Sequence, residues 1–385
     1  MISRSRSSAV GRERRGVAAA TPWKTSCRWQ GEVKRIEDLT SNEVALWQHL
    51  TATRPELRSP FFSLEFAHAV AAAGALARVC LLYDGDKLAG FFPFQFSNPL
   101  AKAFAAAERV GGTLNDFSGL VIDTSRHGLI GKRELLRCAR LASFDVDHLE
   151  ESQLDIGLQV STKRQGARIR VAAEPEAYWS KISAEHPAYY KRFRGQERKI
   201  EREFRLVEFT FSEPEPYKLL PLILAEKRKQ FKRTGRPDGL AQPWKLRCLD
   251  HIARYTAGRC TPVVSALYFD GEWAAFDFSI RAGTVLNSWF PVYNRRFEKL
   301  SPGLILLARR IREARQQGID EIELGEGVSQ YKSLFASEFY PVYTDFWHRL
   351  TPKGIVFRGY LSGLWRFRKI RKLMLTDHEP PRPLA

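Results

Sequence analysis

TVLNSWFPVYNRRFEKLSPGLILLARRIREARQQGIDEIELG, residues 284–325, is the stretch on which the fold turns. Its first ten residues alternate as a strand does, NRRFEKL reads as a loop, and a Ser-Pro-Gly step opens a long helix that ends before a second strand, IDEIELG. Along the helix Leu304, Leu307, Ala308, Ile311 and Ala314 share one face, while Arg309, Arg310, Arg312 and Arg315 fall largely on the other. Ser301 is placed as an N-cap, Pro302 suits the first turn and Gly318 closes the helix. The spacing predicts a strand-helix-strand unit. A small residue, Gly303, lies where unpaired amides and the helix dipole favour an anion. An ordinary crossover with no ligand fits the same spacing.

Outward from this unit, period-2 apolar runs alternate with helical ones along the chain, which predicts a mixed α/β fold. Strands are expected at 78–83, 88–96, 118–123, 205–211, 263–269, 273–281, 284–292 and 320–324, and helices at 62–73, 133–143 and 189–204. Residues 81–94 (LLYDGDKLAGFFPF) align with 267–280 (LYFDGEWAAFDFSI) at an offset of 186, each a hairpin around an Asp-Gly turn. Half a chain separates the two, as a duplication would require.

At 385 residues the chain is long enough for two cores. The net charge is +18, but residues 1–24 carry +5 of it and residues 353–373 carry +7. The remainder is only mildly basic, which argues against a whole-protein nucleic-acid surface and leaves room for a local anionic ligand. No zinc spacing, RNA-binding signature or helix-turn-helix pattern is present. The five cysteines are scattered, which suits a reducing, cytoplasmic setting and no metal. Residues 357–375 are expected to form a basic amphipathic helix, docked on the protein itself or peripherally on an anionic inner-membrane face.

Several segments resemble one family. YNRRFEKLSPGLILLARRIREARQQGIDEIELGEGVSQYK, SPFFSLEFAHAV at 59–70, GFFPFQ at 90–95, GGTLNDFSG at 111–119, FDVDHL at 144–149 and KRKQFKRTGRPD at 227–238 look like GNAT proteins of the CelD type, associated with polysaccharide (cellulose) biosynthesis. The resemblance spans roughly residues 55–345. It implies two tandem GNAT-like domains, as in FemAB-type transferases, each a mixed twisted sheet flanked by helices. Their expected bounds are 31–165 and 170–350, the second carrying the acyl-CoA motif, between a disordered basic tail at 1–30 and the helix and tail at 351–385.

The resemblance also implies chemistry: direct acyl transfer, with acetyl the expected group, from acetyl-CoA or another acyl-CoA to an anionic or hydroxylated acceptor such as a polysaccharide or sugar nucleotide. Pantetheine would lie between splayed strands 284–292 and 320–324, with phosphates near Ser301, Gly303 and Leu304. Pro302 departs from the family's glycine-rich loop and removes one amide donor. Asp277, in an apolar strand where the family more often has histidine, is the candidate base, with a raised pKa on burial. Tyr331 and Lys332 match a Tyr-Lys pair, the first as acid for the thiolate and the second as a ligand for phosphate. Trp289 and Tyr293 are cofactor-side candidates, with core packing as the alternative. Asn115 and Asp116 are candidates for a hydroxylated acceptor, and turn formation is their alternative. A Fem-like aminoacyl-tRNA-dependent transferase and a non-catalytic scaffold for envelope polysaccharide synthesis stay open.

Overall fold

The computed structural model describes residues 28–123, 128–172, 174–255 and 258–352. The basic tail and the helix expected at 357–375 lie outside them. In chain order the elements are β1 (Trp29–Lys34), α1 (Ser41–Thr53), α2 (Leu64–Ala72), β2 (Leu76–Asp84), β3 (Lys87–Phe96), α3 (Pro99–Ala103), β4 (Ala106–Arg109), β5 (Val121–Ile122), α4 (Lys132–Cys138), β6 (Ser143–Leu149) and β7 (Thr162–Arg170). The second half follows as α5 (Pro175–Glu185), α6 (Pro187–Glu203), β8 (Val207–Thr210), α7 (Pro216–Arg233), α8 (Pro243–Arg254), β9 (Cys260–Phe269), β10 (Glu272–Ala282), β11 (Val285–Tyr293), α9 (Pro302–Ala314), β12 (Glu321–Glu326), α10 (Gln330–Phe335) and β13 (Glu338–His348).

One continuous sheet runs β1-β2-β3-β4-β6-β13-β7-β12-β11-β10-β9-β8, with β5 paired to β3. Read from its two edges inward, the order repeats. β1 to β4 are antiparallel and β4 pairs with β6 in parallel over Ala106–Glu108. β8 to β11 are likewise antiparallel, and β11 pairs with β12 in parallel over Val285–Asn287. Two helices, α1 and α2 or α7 and α8, connect the first and second strands of each half. The fold is thus the mixed α/β arrangement with tandem GNAT-like halves that the sequence predicts.

The repeated hairpins occupy equivalent places, β2-β3 and β9-β10. Asp84↔Lys87 closes the first turn and Phe269↔Glu272 the second, so the structural offset is one residue less than the aligned one. Asp270 and Gly271 both have positive φ, at 49° and 79°, and in the first turn Gly85 does, at 62°. Such a backbone twists two-residue hairpins in the right sense, and glycine adopts it without strain.

The halves exchange their last strands. β7 follows β6 in the chain but pairs with β12, and β13 follows β12 but pairs with β6. β7 and β13 then pair with each other at the centre of the sheet. The core is shared in the same way: Phe61, Phe66 and Val70 from the first half pack in one cluster with Ile223, Leu249, Phe276 and Phe290 from the second. Burial of that cluster therefore stabilises both halves together.

Secondary structure departs from expectation mainly at short or crowded elements. The helix expected at 133–143 stops at Cys138, because β6 begins at Ser143, and the strand at 118–123 shrinks to Val121–Ile122. Helix 189–204 starts two residues earlier, at Pro187, whose missing N–H is tolerated in a first turn. Among the described residues no helix is long and apolar enough to cross a membrane. Cys80, Cys138, Cys248 and Cys260 are buried.

Candidate active site

β11 and β12 pair over three residues each, 285–287 with 321–323, and no ladder joins them farther along. The divergence coincides with a bulge in β11: Phe278 faces Phe290 but Ser279 faces Ser288, which leaves Trp289 as the extra residue. A bulge bends its strand and increases the local twist. Pro291, which has no N–H to offer a ladder, follows on the same strand. A cavity of about 580 Å³ occupies the splay.

The cavity reaches both faces of the sheet. On one face it meets the start of α9, at Ser301, Gly303 and Leu304, together with Tyr293. On the other it meets α7, at Lys227 and Phe231, and Phe276 of β10. Alternation along β10 explains the division: Phe276 and Phe278 pack in the core under α7 and α8, whereas Asp277 points the other way, to Arg310 of α9. Tyr331, Lys332 and the Gly327–Ser329 turn close the far wall.

The start of α9 fits an anion, though not in every detail that its sequence suggests. Ser301 holds the N-cap position in a left-handed conformation, φ 54° and ψ 49°, and its side chain makes no cap. Its hydroxyl instead accepts from Gln196 Nε2 at 3.2 Å. The Leu304 amide, expected to face a phosphate, already donates to the Ser301 carbonyl at 2.9 Å. Pro302 has no N–H, so Gly303 supplies the open amide of the first turn. A Cβ on Gly303 would meet only Tyr293 Cδ1, at 4.0 Å. Neither packing nor positive φ therefore requires glycine there, although it weakens a helix by about 1 kcal/mol relative to alanine. Glycine there leaves the backbone of the helix start open to the cavity.

Asp277 lines the cavity and is buried, not the solvent-exposed strand residue that was its alternative reading. It is 3% exposed, forms an ion pair with Arg310 and accepts from the hydroxyls of Ser279 (3.1 Å) and Ser288. Arg310, expected on the solvent face of α9, has 1% of its side chain exposed and also donates to Ser279 Oγ at 2.8 Å. A buried charge needs such a partner. Three donors, from Arg310, Ser279 and Ser288, thus engage the Asp277 carboxylate.

Tyr331 shares the cavity with Asp277, as expected. Burial, and then the Asp277 charge, push its phenol up to about 12, so it stays protonated and able to donate. Lys332 is committed elsewhere: its ammonium donates to the carbonyls of Gly325 (3.0 Å) and Glu326 (2.7 Å), tying α10 to the end of β12. Tyr293 is at the mouth, where its hydroxyl donates to Glu298 at 3.3 Å.

The remaining three candidates lie away from the cavity wall. Trp289, turned by the bulge toward the first half, stacks on Phe278, meets Phe61 and Phe66 edge-on and donates from Nε1 to the Leu114 carbonyl at 2.9 Å. Asn115 is 1% exposed and closes its own loop, donating to Val110 O at 2.8 Å and accepting from Phe117 N at 2.7 Å. Asp116 is held between the halves, where Asn287 Nδ2 donates to it at 3.5 Å and Gly325 passes close to its carboxylate. β4 and β6 also part after three pairs, but there the loop through Asn115 enters, and Ser118 bridges to Leu149. The first half thus fills its splay with its own chain.

Sequence reading did not single out Lys227, Ser288, Arg236 or Arg310. Arg310 carried a signal: it is three residues after Leu307 and four before Ala314, within the apolar stripe, and a lone aspartate in an apolar strand is its natural partner.

Residues 188–333 match the family described as acetyltransferase (GNAT) domain. No curated protein matches the chain. Among solved structures, FemX is similar at 10% identity and a TM-score of 0.53, over 82% of this chain and 96% of that one. The C-terminal domain of a putative lysylphosphatidylglycerol synthetase from Agrobacterium fabrum is similar at 12% identity and 0.49, over 82% and 94%. A tandem GNAT protein from the clavulanic acid pathway gives 12% and 0.45, over 83% and 98%. At such identities the likeness to FemX speaks for the fold alone. The second half of the chain, with its splayed β11 and β12 and α9 between them, is thus similar to a GNAT acetyltransferase domain over residues 188–333.

Proposed function

We propose that the chain is an acyl-CoA-dependent transferase that uses the cavity between β11 and β12, acting by direct transfer on a polysaccharide, sugar-nucleotide or related cell-envelope acceptor. The observation that carries this reading is the coincidence, in one cavity, of an unpaired strand edge, a helix start with an open glycine amide, and a protonated tyrosine. The donor supplies a thioester. Gly303 and the α9 dipole attract its phosphates, and the free edge of β11 offers backbone partners to its amide-bearing arm. Tyr331 donates a proton toward the leaving sulfur.

The envelope acceptor is supported by the CelD-type resemblance of residues 55–345, and the choice of acetyl is likewise an inference from family likeness. Isothermal calorimetry with acetyl-CoA, and with longer acyl-CoAs, tests the donor: Gly303→Glu abolishes binding while the fold persists, because it places a negative charge at the anion site. Equal affinity in that variant refutes the assignment. A thermal-shift series with nucleotide sugars, oligosaccharides and tRNA then selects the acceptor class, since a ligand bound only by the folded state raises the transition temperature.

A further inference from the structure

The cavity contains more ionisable groups than transfer requires, and nearly all of them are already engaged. Asp277 accepts from Arg310, Ser279 and Ser288. Glu326 is 2.9 Å from both His148 Nε2 and Arg164 Nη1. Lys332 holds two carbonyls. Glu298, at the mouth, accepts from Tyr293 and Arg295. Tyr331 is a donor, not an acceptor, at any ordinary pH.

Lys227 differs from all of these. It extends from α7 to the splay, where its Nζ is 3.4 Å from the carbonyl oxygen of Pro291 on β11. No carboxylate is within ion-pair distance of it among the described residues, and on its own helix Glu226 is taken by Lys229 at 2.8 Å. The charged groups that act on it are Asp277, across the sheet, and Arg236, just beyond α7, which opposes its protonation. Arg236 lines the same wall. Lys227 therefore reaches the reaction gap from the face of the sheet opposite α9 and its anion site.

Accepting the reading that acyl transfer takes place in this cavity, we propose that Lys227 is the general base, taking the proton of an acceptor that approaches from the α7 face. The acceptor's O–H or N–H proton passes to the neutral amine of Lys227 as the acceptor atom bonds to the acyl carbon. The carbon–sulfur bond then breaks, the leaving sulfur takes the phenol proton of Tyr331, and solvent reprotonates that phenol. Lys227 returns its proton to bulk water before the next cycle. Burial supports the assignment, because it brings the ammonium down to about 8, where a useful share of the amine is neutral.

Competitive labelling of the full-length protein with 1-fluoro-2,4-dinitrobenzene between pH 6 and 11, read by peptide mass spectrometry, tests this without a known acceptor. Lys227 is expected to react with a midpoint near pH 8, well below that of Lys218, and saturating acetyl-CoA is expected to protect it. A midpoint above 10 overturns the proposal, as does undiminished labelling when calorimetry shows acetyl-CoA bound. Lys227→Met that releases CoA from acetyl-CoA as fast as wild type at pH 9 overturns it as well. Failure of acetyl-CoA to bind at all is a different result: it removes the transferase reading itself.

Discussion

Replacing Asp277 by asparagine tests the buried pair at the back of the cavity. The substitution preserves shape and removes one charge, which leaves the Arg310 guanidinium, with 1% of its side chain exposed, facing a neutral amide. Its bond to Ser279 Oγ survives, but no other carboxylate is recorded in contact with Arg310. Breaking a buried pair on one side costs about 3–5 kcal/mol, because an uncompensated charge stays inside. At about 1.4 kcal/mol per factor of ten, that is roughly a 10²–10⁴-fold loss in the folding equilibrium. Arg310→Met strands the carboxylate and costs a similar amount. The double variant Asp277→Leu, Arg310→Met removes both charges and is expected to lie within about 2 kcal/mol of wild type, since apolar replacements of buried pairs are often nearly neutral. Urea denaturation followed by circular dichroism measures all three. Asp277→Asn within about 1 kcal/mol of wild type, or a double variant that simply adds the two single losses, refutes the reasoning. The same logic makes Asp277→Asn a poor probe of catalysis, because any loss of turnover includes a loss of folded protein.

Further outcomes follow from single contacts. Gly303→Ala should leave stability unchanged or raise it by up to about 1 kcal/mol, since the added Cβ has room and alanine favours a helix, yet it should weaken acetyl-CoA binding measured by calorimetry. Ser301→Gly relieves a left-handed backbone at the cost of one 3.2 Å bond, so its thermal midpoint should not fall. His148, held by Asp147 and Glu326, has its pKa raised above 6.5 despite burial. The stability it contributes is therefore complete below pH 6.5 and is lost as pH rises through the raised value, a slope that His148→Asn should remove from urea midpoints. Tyr331→Phe should lower turnover about 10²-fold or more with little change in acetyl-CoA affinity if the phenol protonates the leaving sulfur.

Much of the second half was legible in the chain because its signals are local. The period of residues 284–292, the Pro302 start, the Gly318 stop and the apolar stripe of α9 each depend on neighbours within a turn or two of backbone, and each recurs in the structure. The repeat at 81–94 and 267–280 was legible for the same reason: a hairpin is a short-range object with its own turn chemistry. Asp277 and Tyr331 line one cavity, because the order of elements in a strand-helix-strand unit dictates which ends meet.

What the chain did not disclose depends on partners far away in sequence. The exchange of β7 and β13 between halves joins residues more than 150 positions apart, and no periodicity marks which neighbour a strand will choose. Trp289 and Asn115 are residue types common in sites, yet Trp289 packs across to the first half and Asn115 closes its own loop. Lys332 is spent on two carbonyls, and Asp277 is neutralised by an arginine that helical spacing had turned toward solvent. Lys227 is one cation among several in KRKQFKRTGRPD, and only the packing of α7 brings it to the splay. Residue type and local spacing thus determined the elements and the general place of the site by themselves. Tertiary structure alone decided which charges are paired and which stand free, because desolvation and partner distance are properties of the packed molecule.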